Sequence, residues 1–185
     1  MEAGTRKGEG AMRETSSGRR IRRAADAVEL LKADHRRLRR LFRRFEHAAE
    51  EERMPVVESI CHVLTLHMMV EEEIFYPAFL AATNDKDFYQ EALVEHEGVR
   101  RLITQIEECG PQDESYAARV RVLAAMTRHH INEEEKRDGM FAEARSAEID
   151  LAALGTKMKL RKARLRKKLL LLRGPFGFTW ASVRP

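Results

Sequence analysis

Acid is missing from one end of this chain, and cysteines, aromatics and long apolar runs are scarce throughout. Residues 157–185 carry ten Lys/Arg and no Asp or Glu. The two cysteines, Cys61 and Cys109, belong to no CxxC pair, which excludes a disulfide framework and a thiolate-built zinc site and fits a reducing compartment. Aromatics make up 6% of the residues while Leu, Ala, Glu, Arg and Lys abound, a balance that disfavours a sandwich or barrel and favours helices. No stretch reaches the roughly 18 apolar residues needed to span a bilayer. The first 23 residues hold no apolar block resembling a signal-peptide core, so the expectation is a cytoplasmic protein. What remains is a chain of 185 residues, 43% hydrophobic, long enough to bury one core with extensions.

Charge is unevenly placed. Residues 1–23 have seven basic and three acidic side chains, and residues 24–156 have 17 basic against 27 acidic, a net −10 between two basic ends. A body of that sign repels polyanions, so binding to an anionic membrane or nucleic acid is expected only through the ends. The segment 1–23, rich in Gly, Ser and Arg without periodicity, reads as a disordered arm.

From Ala24 the pattern is helical. Val28, Leu31, His35, Leu38, Phe42 and Phe45 step by three and four along a single stripe. The spacing returns in Val57, Ile60, Leu64, His67, Glu71, Ile74 and Ala78, after a break expected at Pro55. It returns again in Ala92, His96, Val99, Ile103 and Ile106, and in Val120, Leu123, Thr127, His130 and Glu134. Four amphipathic helices with short connections predict an all-α, up-down-up-down four-helix bundle.

Each stripe carries one histidine, and two carry a glutamate. In an antiparallel pair, residues equidistant from the loop lie at one height. Residues 35 and 71 are equidistant from residue 53, residues 71 and 96 straddle the 83–87 loop, and residues 96 and 130 are equidistant from residue 113. The polar positions therefore form one layer. A lone core histidine is ordinarily satisfied by a carbonyl or water. A buried carboxylate without a partner costs several kcal/mol, and four histidines with two glutamates in one layer call for a cation. Imidazoles with carboxylates and no thiolate suit divalent iron or manganese, and residue counting leaves one ion or two open.

The segments LLKADHRRLRRLFRRFE (30–46), LTLHMMVEEEIFYPA (64–78), LVEHEGVRRLI (93–103) and RHHINEEEKRDGMF (128–141) strongly resemble the bacterial hemerythrin-like HHE cation-binding domains. The resemblance implies a four-helix bundle with a central non-haem iron site, commonly di-iron, and His35, His67, Glu71, His96, His130 and Glu134 as its ligands. The shifted pair His129 and Glu133, with Val122 and Met126 as its own stripe, is the alternative on the fourth helix. Two positions depart from the family pattern. Arg100 stands where oxygen-carrying hemerythrins have a further histidine, which disfavours reversible oxygen carriage, and EEEKRDGMFAEA is longer than usual and lacks a proline, which predicts a loop or bulge near Gly139.

Other acids, Glu72, Glu73, Glu133 and Glu135, read as a solvated face from which any one can orient a ligand histidine. Tyr76 is placed either to offer its hydroxyl to a bound oxygen species or to pack at the helix end. The expected organisation is an arm at 1–23, the bundle at 24–142, a helix at 143–173 that is basic in its second half, and a tail at 174–185 whose Phe176, Phe178 and Trp180 suit a membrane interface. No oligomer is predicted. The expected function is iron-site chemistry with oxygen, peroxide or nitric oxide, in redox or iron homeostasis; its enzymatic form is a peroxide- or oxygen-consuming oxidoreductase. The second class is a regulatory or interaction protein that senses iron and binds a membrane, nucleic acid or partner through its basic ends.

Overall fold

The structure, a computed structural model, describes residues 26–172. The expectations for the arm at 1–23, for residues 174–185 and for Phe176, Phe178 and Trp180 fall outside the described residues. Helix α1 spans Ala27–His47, α2 Glu50–Val70, α3 Tyr76–Thr83, α4 Lys86–Cys109, α5 Tyr116–Glu135, α6 Met140–Ser146 and α7 Leu151–Leu172. The chain is all-α, and α1, α2 with α3, α4 and α5 form the four rods of the bundle.

Local chemistry sets the helix ends. Asp26 caps α1 by accepting from the Glu29 amide at 2.8 Å, and Asp85 caps α4 by accepting from the amides of Asp87 and Phe88. Asn84 closes α3 in the left-handed region at φ 56°, a conformation asparagine tolerates. All the residues of the first, third and fourth stripes are buried. Two apolar clusters form, one including Leu38, Phe42, Ile60, Leu64, Ile103 and Leu123, the other Val28, Leu31, Val70, Phe75, Phe79 and Phe141. The layer of His35, His67, His96 and His130 lies along the helices between them, sealed from water on both sides.

Three expectations are corrected. Pro55 does not break the second rod but lies inside α2, early enough that the carbonyl it leaves unbonded is near the helix start, where water can serve it. The second stripe does not continue to Ile74 and Ala78, which are only half-buried. A π turn at Glu71–Phe75 inserts a residue and moves the buried face to Phe75, Tyr76 and Phe79. The Tyr76 amide bonds the Glu71 carbonyl across this wide turn, so Glu71 and Tyr76 face the same way. The single long helix expected after the bundle is two, α6 and α7, with residues 147–150 between them and Asp150 capping α7 through the Ala153 amide.

The loop foreseen near Gly139 joins α5 to α6. A β-carbon at Gly139 would lie 2.2 Å from the Glu133 carbonyl oxygen and 2.9 Å from that of Glu134. The glycine lets the chain turn against the last carbonyls of α5, the helix that carries Glu134. Gly139→Ala is expected to destabilise the protein by about 1–3 kcal/mol through overpacking, read as a lowered thermal midpoint; an unchanged midpoint would mean that the turn relaxes freely.

Candidate metal centre

His35, His67, Glu71, His96, His130 and Glu134, from four different rods, meet in one buried layer. The structure thus brings together all six residues singled out in the sequence. The alternates lie outside it: His129 is 63% exposed and Glu133 turns to Lys136 at 2.5 Å.

The four imidazoles are held by the same device. His35 Nδ1 is 2.7 Å from Glu135, His96 Nδ1 2.7 Å from Glu72, and His130 Nδ1 2.7 Å from Glu95, while His67 Nδ1 makes a looser 3.5 Å contact with Asp34. A carboxylate only accepts, so Nδ1 of His35, His96 and His130 carries a proton, while His67 Nδ1 makes no hydrogen bond. The Nε2 atoms face inward: His35 and His67 bring theirs to 3.1 Å, and His96 and His130 theirs to 3.3 Å. Glu71 adds Oε2 at 3.2 Å from His67 and 3.5 Å from His96, and Glu134 adds Oε2 at 3.3 Å from His35 and 3.7 Å from His130. Among the described residues, no hydrogen-bond donor reaches either oxygen of Glu71 or Oε2 of Glu134.

The carboxylate partners follow a rule of handedness. Asp34 and Glu95 immediately precede His35 and His96; Glu72 and Glu135 immediately follow Glu71 and Glu134. One residue along a helix turns the side chain by about 100°, from the core toward a neighbouring helix. Adjacent helices run in opposite directions, so a step back on α1 or α4 and a step forward on the second or fourth rod rotate the same way around the bundle. Asp34 of α1 therefore serves His67 of α2, Glu72 of the π turn serves His96 of α4, Glu95 of α4 serves His130 of α5, and Glu135 of α5 serves His35 of α1.

Further groups steady these carboxylates. Arg39 lies 3.3 Å from Glu135, Arg100 lies 2.5 Å from Glu72, and His129 lies 3.2 Å from the second oxygen of Glu95. Arg100 thus supports a histidine rather than entering the ligand layer. Lys162 of α7, itself buried, pairs with Asp34. Of the acids read as a solvated face, Glu72 and Glu135 orient histidines, while Glu73 pairs with Arg161 at 2.5 Å and Glu133 with Lys136. Asp34 and Glu95 were missed in the sequence, although their position beside a ligand histidine is a usable signal.

Protonation follows burial and these contacts. Burial pushes His67 down to about 3 and His96 down to about 4, so both imidazoles are neutral, while for His35 burial is outweighed by the hydrogen bonds and charges of Glu134 and Glu135, which raise it. Burial opposes ionisation of Asp34, but the contacts with His67 and then Lys162 hold it at about 2. Burial, then the charge of Glu134, raises Glu71 well above the usual carboxylate range, so a cation at Glu71 would compete with a proton. Tyr76 is fully buried, donates to Glu134 Oε1 at 3.1 Å, and sits 3.3 Å from His96 Nε2 and 3.5 Å from His130 Nε2. Burial, then the charges of Glu134 and Glu71, raises its hydroxyl well above its ordinary value, so it is a phenol at the edge of the layer.

The donors sort into two sets, each with one ligand atom per residue within 4.8 Å of the others: His35, His67, Glu71 and Glu134, and Glu71, His96 and His130. Inward lone pairs without donors fit cations, and Glu71, common to both sets, fits a bridge. Replacing an orienting carboxylate, as in Glu95→Ala, is expected to weaken metal binding by about 10- to 100-fold with the fold intact. Metal competition titration measures this; unchanged affinity would mean that packing alone orients His130.

Known proteins place this geometry. A DNA nickase of Nostoc sp. is 26% identical over 144 residues, 76% of this chain, which spans only 40% of that protein's length. A solved hemerythrin HHE cation binding domain-containing protein from Mycobacterium kansasii is 27% identical and superposes with a TM-score of 0.69, covering 82% of this chain and 94% of that one. The hemerythrin HHE cation binding domain matches residues 26–142, which include every residue of the layer. The chain belongs to the hemerythrin HHE cation binding domain family.

Proposed function

We propose that the chain binds two iron ions in this layer and uses them to handle or sense oxygen, peroxide or nitric oxide. The observation that carries the reading is the position of Glu71 in both donor sets. Four imidazoles with two carboxylates suit iron foremost, with manganese as the alternative occupant. His35 and His67 would hold one ion, His96 and His130 the other, with Glu71 and Glu134 between them. Bound iron supplies redox change and coordination positions that six protein ligands leave open to a small molecule.

The protein's own groups then have defined tasks. The four carboxylates fix the imidazoles, and the two apolar clusters exclude bulk water. Tyr76 offers the hydrogen-bond donor nearest His96 and His130, placed for a small oxygen-containing ligand. A small pocket whose lining includes Phe88, Ala92, Glu95, His130, Glu134 and Met140 lies on that side. A peroxide- or oxygen-consuming activity is the enzymatic form of this reading, and a cytoplasmic setting with reduced cysteines suits it.

The Nostoc relative named a DNA nickase favours a second reading, an interaction role in which the layer senses iron and the basic ends meet nucleic acid, an anionic membrane or a partner. One contact supports such coupling: Lys162, on the basic helix α7, pairs with Asp34, which faces His67.

Elemental analysis after anaerobic iron reconstitution is expected to give about two iron ions per chain, with an optical spectrum that changes on adding peroxide. His67→Ala and Glu71→Ala are expected to lose metal and Glu73→Ala to retain it. No iron uptake, or Glu73→Ala as the most damaging change, would overturn the proposal.

A further inference from the structure

The acidic body deduced from net charge conceals a basic face. Helix α1 carries seven basic side chains against three acids, and α7 carries eight against none. Residues 50–135, the other three rods and their connections, carry 19 acids against seven basic side chains. The structure packs α7 against α1, so the positive charge gathers on one side of the molecule.

Within that side, Arg36, Arg37, Arg40, Arg43 and Arg44 are all exposed. At 100° per residue they fall on a stripe directly opposite the buried stripe of Leu31, His35, Leu38, Phe42 and Phe45. None of the five pairs with a carboxylate among the described residues. An ordinary solvated helix face alternates charge at i and i+4; here Arg36 with Arg40 and Arg40 with Arg44 set like charge at that spacing, which works against the helix unless an anion lies across it. Arg39, one step off the stripe, shows the contrast by turning inward to Glu135.

We infer that this arginine stripe is a docking surface for the phosphate backbone of nucleic acid. It extends over about 12 Å of helix, and five guanidinium groups on that length approach the charge density of a duplex, about one phosphate per 1.7 Å of axis. Every member is arginine, whose planar fork takes two phosphate oxygens at once. A membrane is the poorer occupant. An interfacial helix needs apolar side chains beside its cations, and the exposed large hydrophobics, Met54, Val94, Val122 and Leu160, all lie off α1. The stripe reads no base edges, so binding is independent of sequence, and the acidic rods repel the backbone and fix which side docks. The inference stands apart from the identity of the bound metal.

The test uses the full chain, a fluorescently labelled DNA duplex and vesicles rich in phosphatidylserine, with anisotropy and co-sedimentation measured between about 50 and 200 mM salt. R40A/R43A/R44A keeps both chain ends, and alanine preserves the helix; circular dichroism and metal content check this. Its charge-matched control is R101A/R121A/R128A, on α4 and α5. The α1 variant is expected to bind duplex at least about tenfold more weakly than the parent and to lower the salt slope by about 2–3, with the control near the parent. Equal loss in both variants, no loss in the α1 variant, vesicle binding without DNA binding, or no binding by the parent would each overturn the inference.

Discussion

Four imidazole rings turned inward in two facing pairs are the constraint on which the rest of this structure depends. Nδ1 of His35, His96 and His130 is drawn outward to a carboxylate at 2.7 Å, which brings the Nε2 atoms of His35 and His67, and of His96 and His130, to within 3.1 and 3.3 Å of each other. Two buried carboxylates among these nitrogens are costly without a counter-charge, and a cation in the layer would supply it. The apolar clusters pack on either side of the layer.

The bundle supplies this arrangement through its handedness. Because neighbouring rods alternate in direction, one residue beside a ligand suffices to reach the next rod's histidine, and the four contacts close into a ring. Asp34 to His67 is the loosest of them at 3.5 Å, and it is also the one that Lys162 of α7 joins from outside. Helix α7, with Arg161 on Glu73 and Met158 and Leu165 buried, is thereby tied to the layer rather than merely appended to the bundle.

The stripes and the six inward residues were legible because burial of one helix face imposes a period that the sequence cannot hide. The turn at Glu71–Phe75 was not legible: a π turn is decided by how Glu71, Tyr76 and the histidines of other helices fit together, and local propensity does not encode it. It moved the buried face from Ile74 to Phe75 and carried Tyr76 into the layer. Asp34 and Glu95 escaped because an acid beside a core position looks like any exposed acid until the neighbouring helix is in place. The break at 147–150 escaped because Ala147, Glu148, Ile149 and Asp150 include no Gly or Pro to mark a turn. Summing charge over 24–156 hid the arginines of α1, since a total carries no direction.

The central claim is that one ion lies with His35 and His67 and a second with His96 and His130, both touching Glu71. Crystals of the iron-loaded protein, measured with X-rays on either side of the iron absorption edge, test it most directly. The account predicts two anomalous peaks in the layer, one beside each histidine pair, with Glu71 reaching both. A single peak, or iron bound at His129 and Glu133, would contradict it.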